Sequence, residues 1–148
     1  MSVRESRTTF RVRFGETDMA GIVFYPNFFA YFDIATQALF AGSPIDLPAQ
    51  MKSGGFGFPI AESGAKFSAP LFYNDEITIV TRVAEVRTRS LRVEHAVYRG
   101  ETLCATGFEA RVHGRKRIDG SGVEVAPIPD TLTSWLRGEP ETGPPPTV

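Results

Sequence analysis

Histidine and cysteine are almost missing from this chain; His95, His113 and Cys104 are the whole supply. No clustered ligand spacing exists among them, so a structural or catalytic zinc site is not expected. A single cysteine cannot close an intramolecular disulfide. Cys104, between Leu103 and Ala105, reads as a small buried apolar residue. No apolar run nears the roughly 20 residues that cross a bilayer. Met1-Ser2-Val3-Arg4-Glu5-Ser6-Arg7 lacks the apolar stretch of a secretory signal, so a cytoplasmic protein without a membrane partner is expected. A charge excess is missing too. Sixteen basic residues face 17 acidic ones, a net charge of −1, where a nucleic-acid binder would show a basic excess or stripe. A polyanionic ligand stays compatible if positive charge is gathered locally. There is no Gly-x-Ser-x-Gly elbow, which disfavours a serine hydrolase of that kind. Gly55-Phe56-Gly57 lacks the third glycine of a dinucleotide fingerprint and reads as a flexible loop. Neither a metal nor a redox cofactor is therefore expected.

At 148 residues the chain suits one domain with a real core. Residues 8–14 alternate apolar and polar and read as a first strand. A helix is expected from Pro26, whose missing N–H costs nothing at a first helical position. Phe28, Phe32, Ala35 and Leu39 form its apolar stripe, widened by Phe29, Ala38 and Phe40, so much of its surface should be buried. Gly42 and Ser43-Pro44 end it, and a helical turn is expected around 48–52. From about Phe58 the period changes to two. Ile77, Ile79, Thr81 and Val83 alternate, as do Leu91, Val93, His95 and Val97, and residues 102–113 form a third run. Three long strands with short turns make an antiparallel meander. Pro127 and Pro129 then precede a short helix over 130–136, expected to be capped by Asp130. Residues 1–137 read as one domain and 138–148, rich in proline, as a disordered tail.

The segment Phe14-Gly15-Glu16-Thr17-Asp18-Met19-Ala20-Gly21-Ile22-Val23-Phe24-Tyr25-Pro26-Asn27-Phe28 carries the chemistry. It places a carboxylate, Asp18, in a turn just before a helix. A helix N-terminus offers unpaired N–H groups and partial positive charge, which polarise a carbonyl and hold developing negative charge. An adjacent carboxylate can attack that carbonyl or take a proton from a water that does. The same Asp could serve as an ordinary turn or capping residue.

This string resembles the 4-hydroxybenzoyl-CoA thioesterase family of hot-dog-fold enzymes. So does Phe67-Ser68-Ala69-Pro70-Leu71-Phe72-Tyr73-Asn74-Asp75-Glu76-Ile77-Thr78-Ile79, and with the Arg-rich turn at 87–90 the resemblance covers roughly residues 8–117. It implies an α+β hot-dog fold, a curved antiparallel sheet wrapped around one long helix. It also implies a homodimer or homotetramer with active sites between subunits, and hydrolysis of an acyl-CoA substrate without a cofactor. Carried over by position, Asp18 is the catalytic carboxylate, as nucleophile or as base, and the Tyr25 backbone N–H receives the thioester oxygen. Relatives acting on other acyl groups often carry His where this chain has Tyr25. That difference, with Phe24, Phe28, Phe29 and Phe32 nearby, favours a flat aromatic acyl group, although aromatics at helical spacing also build cores. Arg87-Thr88-Arg89-Ser90 matches the turn that holds the nucleotide end of coenzyme A; two guanidiniums and a hydroxyl suit phosphates, and equally a solvated hairpin. Arg115-Lys116-Arg117 is a second, weaker basic cluster. Glu62 and Lys66 lie on a strand that should border the pocket, without an assigned role. His95 is expected in the core and His113 at an exposed strand end.

Other readings remain open on sequence. One is a thioesterase for short or medium aliphatic acyl-CoA or acyl-carrier-protein substrates. Another is a non-catalytic acyl-CoA-binding protein. A hot-dog dehydratase would need a catalytic His near the helix, and neither His lies there.

Overall fold

Glu76–Val86 make one of the longest strands, alternating buried and less buried residues as far as Val83, where the register shifts, and the fold is organised around its neighbours. The computed structural model describes residues 3–139. In chain order they form β1 (Glu5–Arg11), a 3-10 turn (Phe14–Glu16), α1 (Asn27–Ala41), α2 (Leu47–Lys52), β2 (Phe56–Gly57), β3 (Ile60–Phe67), β4 (Glu76–Val86), β5 (Ser90–Arg99), β6 (Thr102–Val112), β7 (Gly114–Lys116), β8 (Val123–Val125) and α3 (Asp130–Leu136). Five strands join in the order β1-β4-β5-β6-β3, every pair antiparallel. The sheet curls around α1, giving the α+β hot-dog architecture. β3 and β1 are its free edges.

The two periods explain the packing. Along β4, Ile77, Ile79, Thr81 and Val83 point inward and are buried; on β5, Leu91, Val93, His95 and Val97 do the same. On α1, Phe28, Tyr31, Phe32, Ala35, Thr36, Leu39 and Phe40 form the buried face. The helix is less enclosed than its composition suggests, because Phe29 and Ala38 lie on the exposed side. The helix also lies very close to the sheet. A Cβ on Gly107 would collide with the Phe32 ring, and that ring stacks on the His95 imidazole, centroids 4.9 Å apart and planes 3° from parallel. Glycine mid-strand is the condition for that approach.

The buried apolar residues form two clusters. One, under the first half of α1, includes Val23, Phe28, Phe32, Leu71 and Ile79; the other, under the second half, includes Leu39, Phe40, Val93 and the α3 residues Leu132, Trp135 and Leu136. Between them runs a belt of buried polar side chains. His95 Nδ1 faces Thr81 Oγ1 at 2.9 Å and Nε2 faces Glu109 Oε1 at 3.0 Å. Thr36 of α1 donates to the same Glu109 oxygen. Arg111 donates to Glu109 Oε2 at 2.7 Å, to Asp33 of α1 at 2.8 Å and to the Phe58 carbonyl at 2.9 Å. A carboxylate only accepts, so His95 Nε2 carries a proton, while Nδ1 pairs with the Thr81 hydroxyl, which can donate or accept. His95 is thus a core histidine with partners at both nitrogens.

Some elements differ from the sequence reading. The first strand covers residues 5–11 rather than 8–14, because the chain turns at Phe14–Glu16. Pro26 has helical dihedrals but sits at the cap position. The cap of α3 is Pro129; Asp130 is its first residue, and no side chain caps it. Gly55–Gly57 is not a free loop, since β2 pairs β7 and β7 pairs β8 in a second small sheet. His113 is buried, its Nδ1 2.9 Å from the Ala126 carbonyl oxygen. Gly138 and Glu139 still bond back to Trp135 and Ser134. The rest of the expected tail, residues 140–148, lies outside the described residues.

Candidate active site

Thr17 and Val23 pair across a miniature hairpin that carries Asp18 at its neck. The Asp18 N–H donates to the Ile22 carbonyl at 2.9 Å, and the Asp18 carbonyl accepts from the Gly21 N–H at 2.9 Å. Gly21 has φ +82°, a conformation natural to glycine that closes this turn. The Asp18 carboxylate Oδ1 accepts from the Ala20 N–H at 2.9 Å, an Asx-type bond. Asp18 itself is exposed, and its second oxygen accepts from no described residue.

The hairpin is fastened to the start of α1. The Glu16 carbonyl accepts from the Phe24 N–H at 2.9 Å and from Asn27 Nδ2 at 2.8 Å. Val23 N–H donates to the Leu71 carbonyl at 2.8 Å. The Glu16 carboxylate takes the Arg13 backbone N–H at 2.7 Å, the Arg13 guanidinium at 3.1 Å and the Tyr31 hydroxyl at 3.0 Å. Partial burial pushes the Glu16 carboxyl up, but these bonds from Arg13 and Tyr31 outweigh it and hold it below the ordinary range. Burial, then the bond to Glu16 and its charge, push the Tyr31 phenol well above its usual value.

At the helix start, most N–H groups are spoken for. Those of Asn27, Phe28 and Phe29 donate to the carbonyls of Phe24, Tyr25 and Pro26 at 2.9, 3.1 and 3.1 Å, and Phe24 donates to Glu16. Pro26 has none. Among the described residues, the Tyr25 N–H donates to no partner. Tyr25 lines a cavity of about 400 Å³ with Ile22, Phe28, Phe67, Pro70 and Leu71, and Asp18 is not among the lining residues. The Phe28 and Phe67 rings meet edge to face there, centroids 5.0 Å apart. An unpartnered N–H just before a helix, on a residue that lines an apolar hollow and follows a carboxylate in a closed turn, is an arrangement able to bind and activate a carbonyl.

Of the residues singled out from sequence, Tyr25 and Phe28 line this cavity together. Phe24 lies against Tyr25, centroids 5.4 Å apart, but does not line it. Phe32 is fully buried core, and Phe29 packs on it from the exposed side. Arg87, Arg89 and Ser90 are elsewhere. They link β4 to β5, the Arg87 N–H donating to the Ser90 carbonyl at 2.8 Å. Arg87 pairs with Glu85 at 2.7 Å, while Arg89 makes no ion pair with a described residue. The Asp18 hairpin adjoins the other end of β4, since Val12 pairs with Asn74 and Asp75 just before it. At ~3.3 Å per residue, β4 separates the two regions by roughly 33 Å within one chain. Arg115 pairs with Glu124 at 3.2 Å. Glu62 and Lys66 stand on the edge strand β3, and Lys66 borders a larger concavity of about 580 Å³ on the outer face of the sheet. That face holds Arg82 and Arg92 on Glu94, at 3.1 and 3.4 Å, with Arg92 over the Phe108 ring. Glu94 is shared by the two arginines, Lys66 makes no ion pair with a described residue, and the Asp18 hairpin is not part of this face. The feature that sequence reasoning missed is Glu16, the acid of the motif that faces inward.

The chain belongs to the thioesterase-like superfamily, whose profile matches residues 12–136, and it is a hydrolase of thioesters. Over 91 residues it is 35% identical to the 4-hydroxybenzoyl-CoA thioesterase of Pseudomonas sp. strain CBS-3, a match spanning 60% of this chain and 64% of that protein. Over 135 residues it is 25% identical to the 1,4-dihydroxy-2-naphthoyl-CoA hydrolase of Thermosynechococcus vestitus, spanning 88% and 87% of the two. Among solved structures, a gentisyl-coenzyme A thioesterase superposes with a TM-score of 0.78 at 31% identity, covering 88% of this chain and 98% of that one. No helix among the described residues is long and apolar enough to cross a membrane.

Proposed function

We propose that this protein hydrolyses an aromatic acyl-CoA to the free acid and coenzyme A. The observation that carries the reading is the fastening of the Asp18 hairpin onto a helix start where, among the described residues, the Tyr25 N–H finds no partner. In the base route, an Asp18 oxygen takes a proton from water while the water oxygen bonds to the thioester carbon. The carbonyl π electrons move onto oxygen, where the Tyr25 N–H and the helix terminus stabilise them. They return as the C–S bond breaks, and the thiolate leaves and is protonated. In the nucleophile route the carboxylate oxygen itself forms the new bond, the C–S bond breaks to a mixed anhydride, and water then cleaves it. Both routes use the same two groups.

Aromatic preference is supported by the flat, largely apolar walls of Tyr25, Phe28 and Phe67. It is supported too by relatives named for 4-hydroxybenzoyl, 1,4-dihydroxy-2-naphthoyl and gentisyl thioesters. Phe24 would cover the acyl group from the rim beside Tyr25. The nucleotide end goes to Arg87, Arg89 and Ser90, and the distance within one chain means that they act from a second copy. Two-fold pairing of β3 edges supplies that arrangement. The Phe67 end of β3 adjoins the pocket, whereas its Ile60 end pairs with Arg111, which faces Leu91 next to Ser90. Antiparallel pairing sets the Ile60 end of one chain against the Phe67 end of the other. The assembly is then a homodimer at least, with β3 protected from stray pairing.

Release of free thiol from a panel of aromatic and aliphatic acyl-CoAs tests the reading. Turnover of 4-hydroxybenzoyl- or naphthoyl-type thioesters at least tenfold above hexanoyl- or octanoyl-CoA is expected. Preference for the aliphatic esters would replace the substrate class, and failure to cleave any would leave only a binding protein.

A further inference from the structure

Glu16 is an acid that faces inward in a segment where its neighbours Gly15 and Asp18 face out. Its side chain is only 16% exposed, against 78% for its partner Arg13. An exposed turn glutamate gains little by folding back in this way. Here it closes three segments on one another. The carboxylate holds the end of β1 through the Arg13 N–H and guanidinium, and one turn into α1 it holds the Tyr31 hydroxyl. Its own carbonyl holds Phe24 and Asn27 at the helix start. Tyr31 is held in the core, having no exposed surface and resting on Phe10 and Phe28 at centroid distances of 5.1 and 5.9 Å. Besides the backbone bond from Val23 to Leu71, the buried core thus reaches the surface hairpin through the Glu16 carboxylate, two residues before Asp18. No other side chain among the described residues bonds to Glu16 or replaces its links.

We infer that Glu16 is a positioning residue for the hydrolysis, together with its anchors Tyr31 and Asn27. It fixes the height and angle of the Asp18 hairpin over the Tyr25 N–H, so that water attack and oxyanion binding address the same carbonyl. The inference rests on the catalytic reading of Asp18 and deepens it. Position is the quantity at stake, since a shift of about 1 Å in a reacting group can cost roughly 10²-fold in rate. None of Arg13, Glu16, Asn27 and Tyr31 lines the acyl cavity, so ground-state binding of substrate is expected to change little when their contacts are removed.

Glu16→Ala should lower kcat by roughly 10–100-fold with KM changed by less than about twofold. Glu16→Gln keeps the acceptor oxygen for Tyr31 and the Arg13 N–H, and should restore kcat to within about fivefold of wild type. Tyr31→Phe removes one hydroxyl and leaves the ring packing, so it keeps the test alive if Glu16→Ala folds poorly. Losing one ordinary hydrogen bond of about 0.5–1.5 kcal/mol corresponds to roughly a 2- to 12-fold fall in kcat. The decisive readout is the double mutant. A residue that acts through Asp18 has no further effect once Asp18 is Asn, so Glu16→Ala in that background should leave the residual rate within about twofold. Multiplicative losses in the double mutant, or a folded Glu16→Ala and Tyr31→Phe with wild-type kcat, overturn the positioning role while leaving Asp18 catalytic. A fully active Asp18→Asn enzyme overturns the catalytic reading instead. 4-Hydroxybenzoyl-CoA serves as the substrate, or the best thioester of the panel above.

Discussion

His95 Nε2 lies 3.0 Å from the Glu109 carboxylate, and neither side chain reaches solvent, at 0% and 1% exposure. Glu109 faces two donors from β5 and α1 on one oxygen and the Arg111 guanidinium on the other. It is the acceptor on which the polar belt converges. Burial pushes its carboxyl up, but the bonds from His95, Thr36 and Arg111 outweigh that and hold it below the ordinary 4.5.

A carboxyl lowered on folding contributes stability above its unfolded pKa and loses it as pH falls through the folded value. Glu109→Gln should therefore be less stable than wild type by about 1–3 kcal/mol at pH 7, because buried Arg111 keeps only the half-exposed Asp33 as a carboxylate partner. The gap should narrow below pH 4.5, as wild-type Glu109 takes up its proton. Urea unfolding at pH 7 and at pH 3.5 measures both differences; a gap that widens in acid would contradict the assignment.

Asp18→Asn keeps the oxygen that accepts from Ala20 and removes the charge. Its melting temperature should stay within about a degree or two of wild type, since the side chain is exposed and makes no buried contact. Turnover should fall by about 10²–10⁴-fold, more if Asp18 is the nucleophile. An Asn enzyme with over a tenth of wild-type turnover would remove Asp18 from the mechanism.

Arg87 and Arg89 are expected to bind phosphate far from the thioester, contributing equally to ground and transition states. Each Arg→Ala should then raise KM with kcat nearly constant. A charge-assisted bond of about 1.5–3 kcal/mol predicts a tenfold rise or somewhat more. The larger effect belongs to Arg89, because Arg87 is already engaged by Glu85. An acyl-pantetheine, which lacks the nucleotide, should not distinguish either variant from wild type.

If the site is completed across β3, specific activity should fall on dilution in step with the loss of dimer mass in sedimentation or light scattering. Activity that survives as a monomer would rule out the shared site.

Helix α1 and the β4–β6 meander were legible in the sequence because each runs for ten residues or more, long enough for a period of 3.6 or 2 to declare itself. The Asp18 turn was legible from Gly21 and Pro26. The small β2–β7–β8 sheet was not, since strands of two or three residues have no period. Nor was the polar belt. Phe108-Glu109-Ala110-Arg111 reads equally well with its charges outward, and only the pairing of Gly107 with His95 on β5 fixes them inside. Glu16 was hidden by its company, an acid among turn residues whose inward direction depends on Tyr31, fifteen positions away.

The separation of Asp18 and the arginine turn along β4 has a genetic consequence. If each site borrows its turn from the neighbouring chain, an Asp18→Asn subunit and an Arg89→Ala subunit damage complementary halves. Pairing them gathers both lesions into one site and leaves the other with an intact carboxylate and an intact turn. Two impaired parents, unfolded and refolded together, would regain low-KM turnover at one site of each mixed dimer. Two such alleles in one cell would complement each other within a single gene.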